Sequence, residues 1–144
     1  MTANDYSESA IRNALSKFSH PSISYSVADA RKIDLADDSY DVVIAYGLLH
    51  CLNNAAEIID VILKIKAATA LGGYLILCAF NDRDHDLSAH PGFSPILLPH
   101  SFYVDMLSEW ELLFCTDETL HEVHPHNNIP HHHSLTRMIC RRNK

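Results

Sequence analysis

Histidine dominates the residues able to do chemistry in this chain, with 11 in 144 positions. The stretch "LHEVHPHNNIPHHHS" places His121, His124, His126, His131, His132 and His133 along one polar connection between two apolar runs. Neutral imidazole is a common zinc ligand, and a hairpin can bring several together. Neither a carboxylate–histidine helix spacing nor a cysteine pair completes a recognised site here, so no residue is assigned to a metal. A loop lining a substrate pocket ranks above a metal centre. In extended backbone His131 and His133 face one way and His132 the other. Upstream, Asp82, Asp84 and Asp86 alternate as at the start of a calcium loop, with His85 among them. The glycine and distal glutamate of such a loop are missing, which leaves a solvated lid.

Other single residues are placed for chemistry. Asp5 in "TAND" precedes a helix start and Asp29 in "VADA" follows a strand, so each carboxylate either caps a turn or meets a ligand. His50 follows the run "YDVVIAYGLLHCL" and is either buried under a loop or close to a reacting atom. Cys51, Cys78, Cys115 and Cys140 form no C-x-x-C pair. The last three lie in apolar strand patterns, where a thiol packs as a small hydrophobe.

The elements that position these residues follow from periodicity. Ala10, Ile11, Ala14, Leu15 and Phe18 share one helical face, with Ser7 as the N-cap. Ile23 to Val27 reads as a short strand. Tyr40 to Tyr46 reads as a parallel strand buried on both faces. Asn54 caps a helix with Glu57 three residues on, a capping-box spacing, and that helix runs to about Ala70, before Gly72. Tyr74 to Phe80 is a second buried strand, Asn81 to Pro99 a long loop and Ser101 to Leu107 a short helix. Trp110 to Cys115 and Leu135 to Arg141 close the chain as strands. Alternating strands and helices ending in a strand pair predict an α/β sheet with an antiparallel tail. Ligands bind such sheets beyond the carboxyl ends of the strands, where Asp5, Asp29 and the Tyr46–Gly47 turn fall.

Composition narrows the partners. One domain over residues 1–144 is expected, and its 11 basic against 18 acidic side chains give a net charge of −7. Arg141, Arg142 and Lys144 are too few to track a phosphate backbone, so nucleic acid is not an expected partner. Apolar runs are strand-length, so no membrane contact is expected, and no signal peptide is visible. Separate, packed cysteines fit a cytoplasmic location.

Taken in order, "DYSESAI", "VADA", "YDVVIAYGLLHCL" and "GGYLILCAF" resemble the class I, Rossmann-like S-adenosylmethionine-dependent methyltransferases. The run "PHHHSLTRMICR" is similar to the closing strand of the tellurite-resistance type, which acts on small molecules. The resemblance implies a mostly parallel Rossmann-like sheet with an antiparallel C-terminal strand, and S-adenosyl-L-methionine as cofactor. It assigns Asp5 and Tyr6 to the ribose side, since a carboxylate matches a vicinal diol. Asp29 accepts from the adenine amino group, and the Ala30 backbone meets the ring edge. Tyr46 and Gly47 lie at the sulfonium end. His50, His121 and His133 become the candidates for positioning a small-molecule acceptor or removing its proton.

One part of the family pattern is missing. The four glycines, Gly47, Gly72, Gly73 and Gly92, contain no G-x-G. In the family a strand ending in that loop lies between the "TAND" and "YDVVIAY" strands, so an N-terminally truncated domain is expected, with Met1 inside a strand. An apolar strand with an unpaired edge recruits another strand. The expected remedies are an upstream start, self-association or a partner chain supplying the strand, or a closed-up sheet without catalysis. Two readings follow: a methyltransferase completed by the missing element, or a non-catalytic remnant that serves as an interaction module. A histidine-based metal-binding protein is a minor third.

Overall fold

Ser7 and Asn54 start the two longer helices, as their positions require. The Ser7 hydroxyl accepts from the Ala10 N–H at 3.3 Å, and the Asn54 side-chain oxygen accepts from the Glu57 N–H at 3.0 Å. Glu57 reaches back to the N–H of Asn53 at 3.1 Å, one residue beyond the N-cap amide of the usual capping box. The computed structural model describes residues 1–143, in two compact units, Met1–Asp34 and the chain from Leu35 onward.

The first unit is a strand–helix–strand. Strand β1 (Thr2–Asp5) pairs in parallel with β2 (Ser24–Val27), and helix α1 (Glu8–Phe18) connects them. Of the apolar face of α1 only Ile11 is buried, while Leu15 and Phe18 are exposed.

The second unit holds a four-stranded sheet in the order β3-β4-β6-β5. Its elements are β3 (Tyr40–Tyr46), α2 (Ala55–Ala68), β4 (Thr69–His85), α3 (His100–Met106), β5 (Glu111–Val123) and β6 (Pro130–Arg141). A single 3-10 turn, Leu49–Cys51, leads from β3 toward α2. Strands β3 and β4 are parallel, and β6 runs antiparallel to both β4 and β5. Among the described residues the strands make two parallel and two antiparallel pairings rather than a mostly parallel sheet.

Helix α2 buries Ile58, Val61, Ile62 and Ile65, the i, i+3, i+4, i+7 stripe of a core-facing helix. They pack with Leu75 and Leu77 of β4, Met138 and Cys140 of β6, and Tyr103 and Trp110. Each such buried aliphatic side chain contributes about 1.5–3 kcal/mol relative to exposure. At the C-terminus of α2 the Arg142 guanidinium meets the carbonyls of Lys66, Ala67 and Thr69 and the Asp38 carboxylate. A cation there offsets the free carbonyls of the last turn.

Three sequence expectations are corrected. Strand β3 is not buried on both faces: Val42, Ile44 and Tyr46 are exposed, and β3 pairs only with β4 among the described residues. Helix α2 ends at Ala68, and Thr69 both caps it and opens β4. Asn81 to His85 form no loop but continue β4, with His85 opposite His133. The reason is satisfaction of polar groups across the sheet. The buried Asn81 amide donates to Asp117 at 2.8 Å and to Thr136 at 3.3 Å, so a polar residue remains in the strand without penalty. Likewise β5 and β6 pair from Glu111↔Arg141 to Val123↔Pro130, which puts most of the histidine stretch inside a hairpin.

Candidate functional site

In the first unit both aspartates have local partners. Asp5 accepts from the Ser7 N–H at 2.7 Å, and Tyr6 beside it is exposed. Asp29 accepts from the Arg31 backbone at 3.0 Å and from its guanidinium at 2.7–3.1 Å. That pairing with Arg31 holds the Asp29 carboxyl at about 2, so it is ionised at any physiological pH. Ala30 lies in the turn that follows, part-buried.

In the second unit Tyr46 ends β3 and Gly47 turns the chain with φ +73°. The Gly47 N–H donates to the Cys78 carbonyl at 2.9 Å. A Cβ at Gly47 would meet nothing within 4 Å, so bare backbone is presented at the carboxyl end of the strand. The left-handed conformation is what restricts the position to glycine.

His50 is 5% exposed, and its Nδ1 accepts from the Phe80 N–H at 3.0 Å. Its ring stacks on Phe80 with centroids 4.0 Å apart, and Phe80 stacks also with His133 at 4.3 Å. Burial first, then the His133 and His85 imidazoles, push His50 down to about 4. It is neutral at pH 7, with Nδ1 engaged and the hydrogen on Nε2. That makes it a hydrogen-bond donor rather than a ready base.

His133 and His131 are buried and project from one face of β6, while His132 projects from the other and meets Asp84 at 3.0 Å. His121 is exposed and pairs with His132, on the opposite side of the hairpin from His133. The structure therefore brings His50 and His133 together through Phe80 and leaves His121 apart. It also gathers His85, together with two residues that sequence spacing did not single out, His90 and Glu122, around His131 and His133. Glu122 stands directly opposite His131 in the hairpin register. A two-residue alternation running through both arms was the available signal.

A family model described as a methyltransferase domain matches residues 1–77. The chain belongs to the class I S-adenosylmethionine-dependent methyltransferases. Solved structures agree on the Rossmann-like fold. TehB from Haemophilus influenzae superposes with a TM-score of 0.75 at 19% identity, over 99% of this chain and 49% of that one. The N-methyltransferase NodS from Bradyrhizobium japonicum, solved with S-adenosyl-L-homocysteine, gives 0.68 at 15% identity, over 99% and 66%. A methyltransferase solved with the Haloferax volcanii Trm112 methyltransferase activator gives 0.75 at 12% identity, over 99% and 72%. The chain spans about half the length of TehB. No curated protein sequence matches it. No helix among the described residues is long and apolar enough to cross a membrane.

Proposed function

We propose that the chain serves S-adenosylmethionine-dependent methyl transfer to a small-molecule acceptor, completed by a strand added to β3. Family membership supports the donor, and the free, apolar edge of β3 is the single observation that carries the need for completion. The strand comes from a further segment, a second copy or a partner chain. The donor supplies an electrophilic methyl group, so the protein's main work is alignment.

The nucleoside half of the cofactor belongs with the first unit in this reading. In the first unit Asp5 accepts from the ribose hydroxyls with Tyr6 alongside, and Asp29 and Ala30 receive the adenine edge. In the second unit Gly47 offers open backbone at the strand end, and Tyr46 flanks it. His50 donates from Nε2 to hold the acceptor. His133 and His121 are weaker acceptor-side assignments, the first engaged at both nitrogens and the second exposed. A general base is required only for an acceptor that must lose a proton.

One observation favours a second reading, an interaction module without cofactor. The Asp29 carboxylate already carries the Arg31 guanidinium, and Asp5 already carries the Ser7 amide. Amide NMR with S-adenosylhomocysteine separates the two. Shifts at Ala30 and Gly47, with none at His132, support cofactor binding; an unmoved spectrum supports the module.

A further inference from the structure

The hydrogen positions in the histidine cluster follow from their neighbours. Carbonyls only accept, so His85 Nε2, 2.6 Å from the Asn81 carbonyl, must carry its hydrogen. Neutral His85 then turns a lone pair on Nδ1 toward His133 Nδ1 at 3.3 Å, and His133 must donate there. His133 Nε2 is left as a lone pair. By the same logic His131 Nδ1 donates to the Ile129 carbonyl at 2.8 Å and leaves a lone pair on its Nε2.

Both lone pairs converge on one spot. His131 Nε2 and His133 Nε2 lie 3.1 and 3.2 Å from His90 Nε2, and 3.4 and 3.7 Å from Glu122 Oε1. His90 Nε2 carries at most one hydrogen, while a third imidazole nitrogen, that of His124, also stands 3.3 Å from it. One N–H on His90 cannot serve both of these lone pairs, and the Glu122 carboxylate beside them adds a further acceptor.

We propose that His90, Glu122, His131 and His133 form a closed, four-ligand site for a divalent transition metal of the zinc type. All four donor atoms lie within 4.8 Å of one another. Four ligands at zinc's ~2.0–2.1 Å bond lengths stand about 3.3 Å apart in a tetrahedron. Four of the six separations, 3.1, 3.2, 3.4 and 3.7 Å, lie close to that edge. Imidazole ligands select zinc and its neighbours over calcium or magnesium. The Ile129 carbonyl and the His85–Asn81 relay fix the tautomers from behind, as outer partners of metal-bound histidines do.

With every position filled by protein, the ion is structural. It ties the segment carrying His90 to the β5–β6 hairpin. Phe93 of the same segment lies edge-on to His50 and Phe80, at 6.1 and 6.4 Å, so the tie also steadies the wall around His50.

The test uses untagged full chain, stripped with chelator, reloaded with Zn2+ or Co2+, dialysed and assayed by elemental analysis. About one equivalent is expected, with the intense visible bands of four-coordinate Co2+. His131→Ala should weaken Zn2+ binding at least ~100-fold, the upper range for losing even an outer partner, whereas His132→Ala on the opposite face should keep it. Wild-type protein that folds but retains no stoichiometric metal overturns the site. So does six-coordinate Co2+, or equal loss in both variants, which marks adventitious surface histidines. Neither wild-type readout depends on cofactor binding or on a variant's folding.

Discussion

The His50 imidazole accepts the Phe80 N–H at 3.0 Å while its ring lies parallel to the Phe80 ring, 1° from coplanar and 4.0 Å away. One residue is thereby fixed in tautomer, orientation and charge. His85 and His133 are the titratable groups that lower it further after burial.

This has a consequence for pH. The folded His50 titrates at about 4 and the unfolded one at 6.5, so between those values the unfolded chain binds a proton that the native chain does not. Stability is complete above pH 6.5 and falls as pH drops toward 4, by about 3 kcal/mol from this group. Urea unfolding at intervals across that window should show the fall, and His50→Gln should reduce it, leaving the part that His133, also held down to about 4 by burial, supplies. An unchanged slope in the variant would remove His50 as a source.

Core and exposed faces of the sheet should respond differently. Ile62, 1% exposed on α2, should cost about 2–5 kcal/mol when changed to alanine. Ile44, 62% exposed on β3, should tolerate serine within about 0.5 kcal/mol. Denaturant midpoints of both variants check this, and a large loss at Ile44 would mean that its face is covered.

Gly73 marks a close approach of backbones. A Cβ there would stand 2.9 Å from the Ala70 carbonyl and 3.0 Å from that of Asp41, both main-chain atoms. Gly73→Ala should therefore cost roughly 1–3 kcal/mol, the range for overpacking, with the melting temperature as the readout. A neutral result would show that the α2–β4 junction yields.

The free edge of β3 predicts association. Light scattering after size exclusion should show more than a monomer, and Val42→Lys, at a position 51% exposed, should shift it toward one by placing charge on the edge strand. A stable, monodisperse wild-type monomer would count against strand recruitment between copies.

Local chemistry was legible in the sequence wherever one segment settles the outcome. Ser7 and Asn54 cap their helices because a side-chain oxygen three residues from a free amide suffices. Tyr40 to Tyr46 is a strand with those same bounds, because it is apolar and rich in β-branched residues apart from Asp41. What failed was decided across the sheet. Asn81 stays extended because Asp117 and Thr136, 36 and 55 residues away, satisfy its amide. The exposure of Val42, Ile44 and Tyr46 depends on what packs over β3, which its own composition does not record. The His90–His131 and His90–His133 approaches span 41 and 43 residues, so no ligand spacing in the sequence reveals them.

Calorimetric titration of S-adenosylmethionine and S-adenosylhomocysteine into the folded chain tests the central claim most directly. Saturable binding that Asp29→Ala abolishes is expected, with the methyl-donor pocket formed at least on its nucleoside side. No heat of binding from a folded, strand-completed sample would contradict it and leave the chain as a methyltransferase fold without its cofactor.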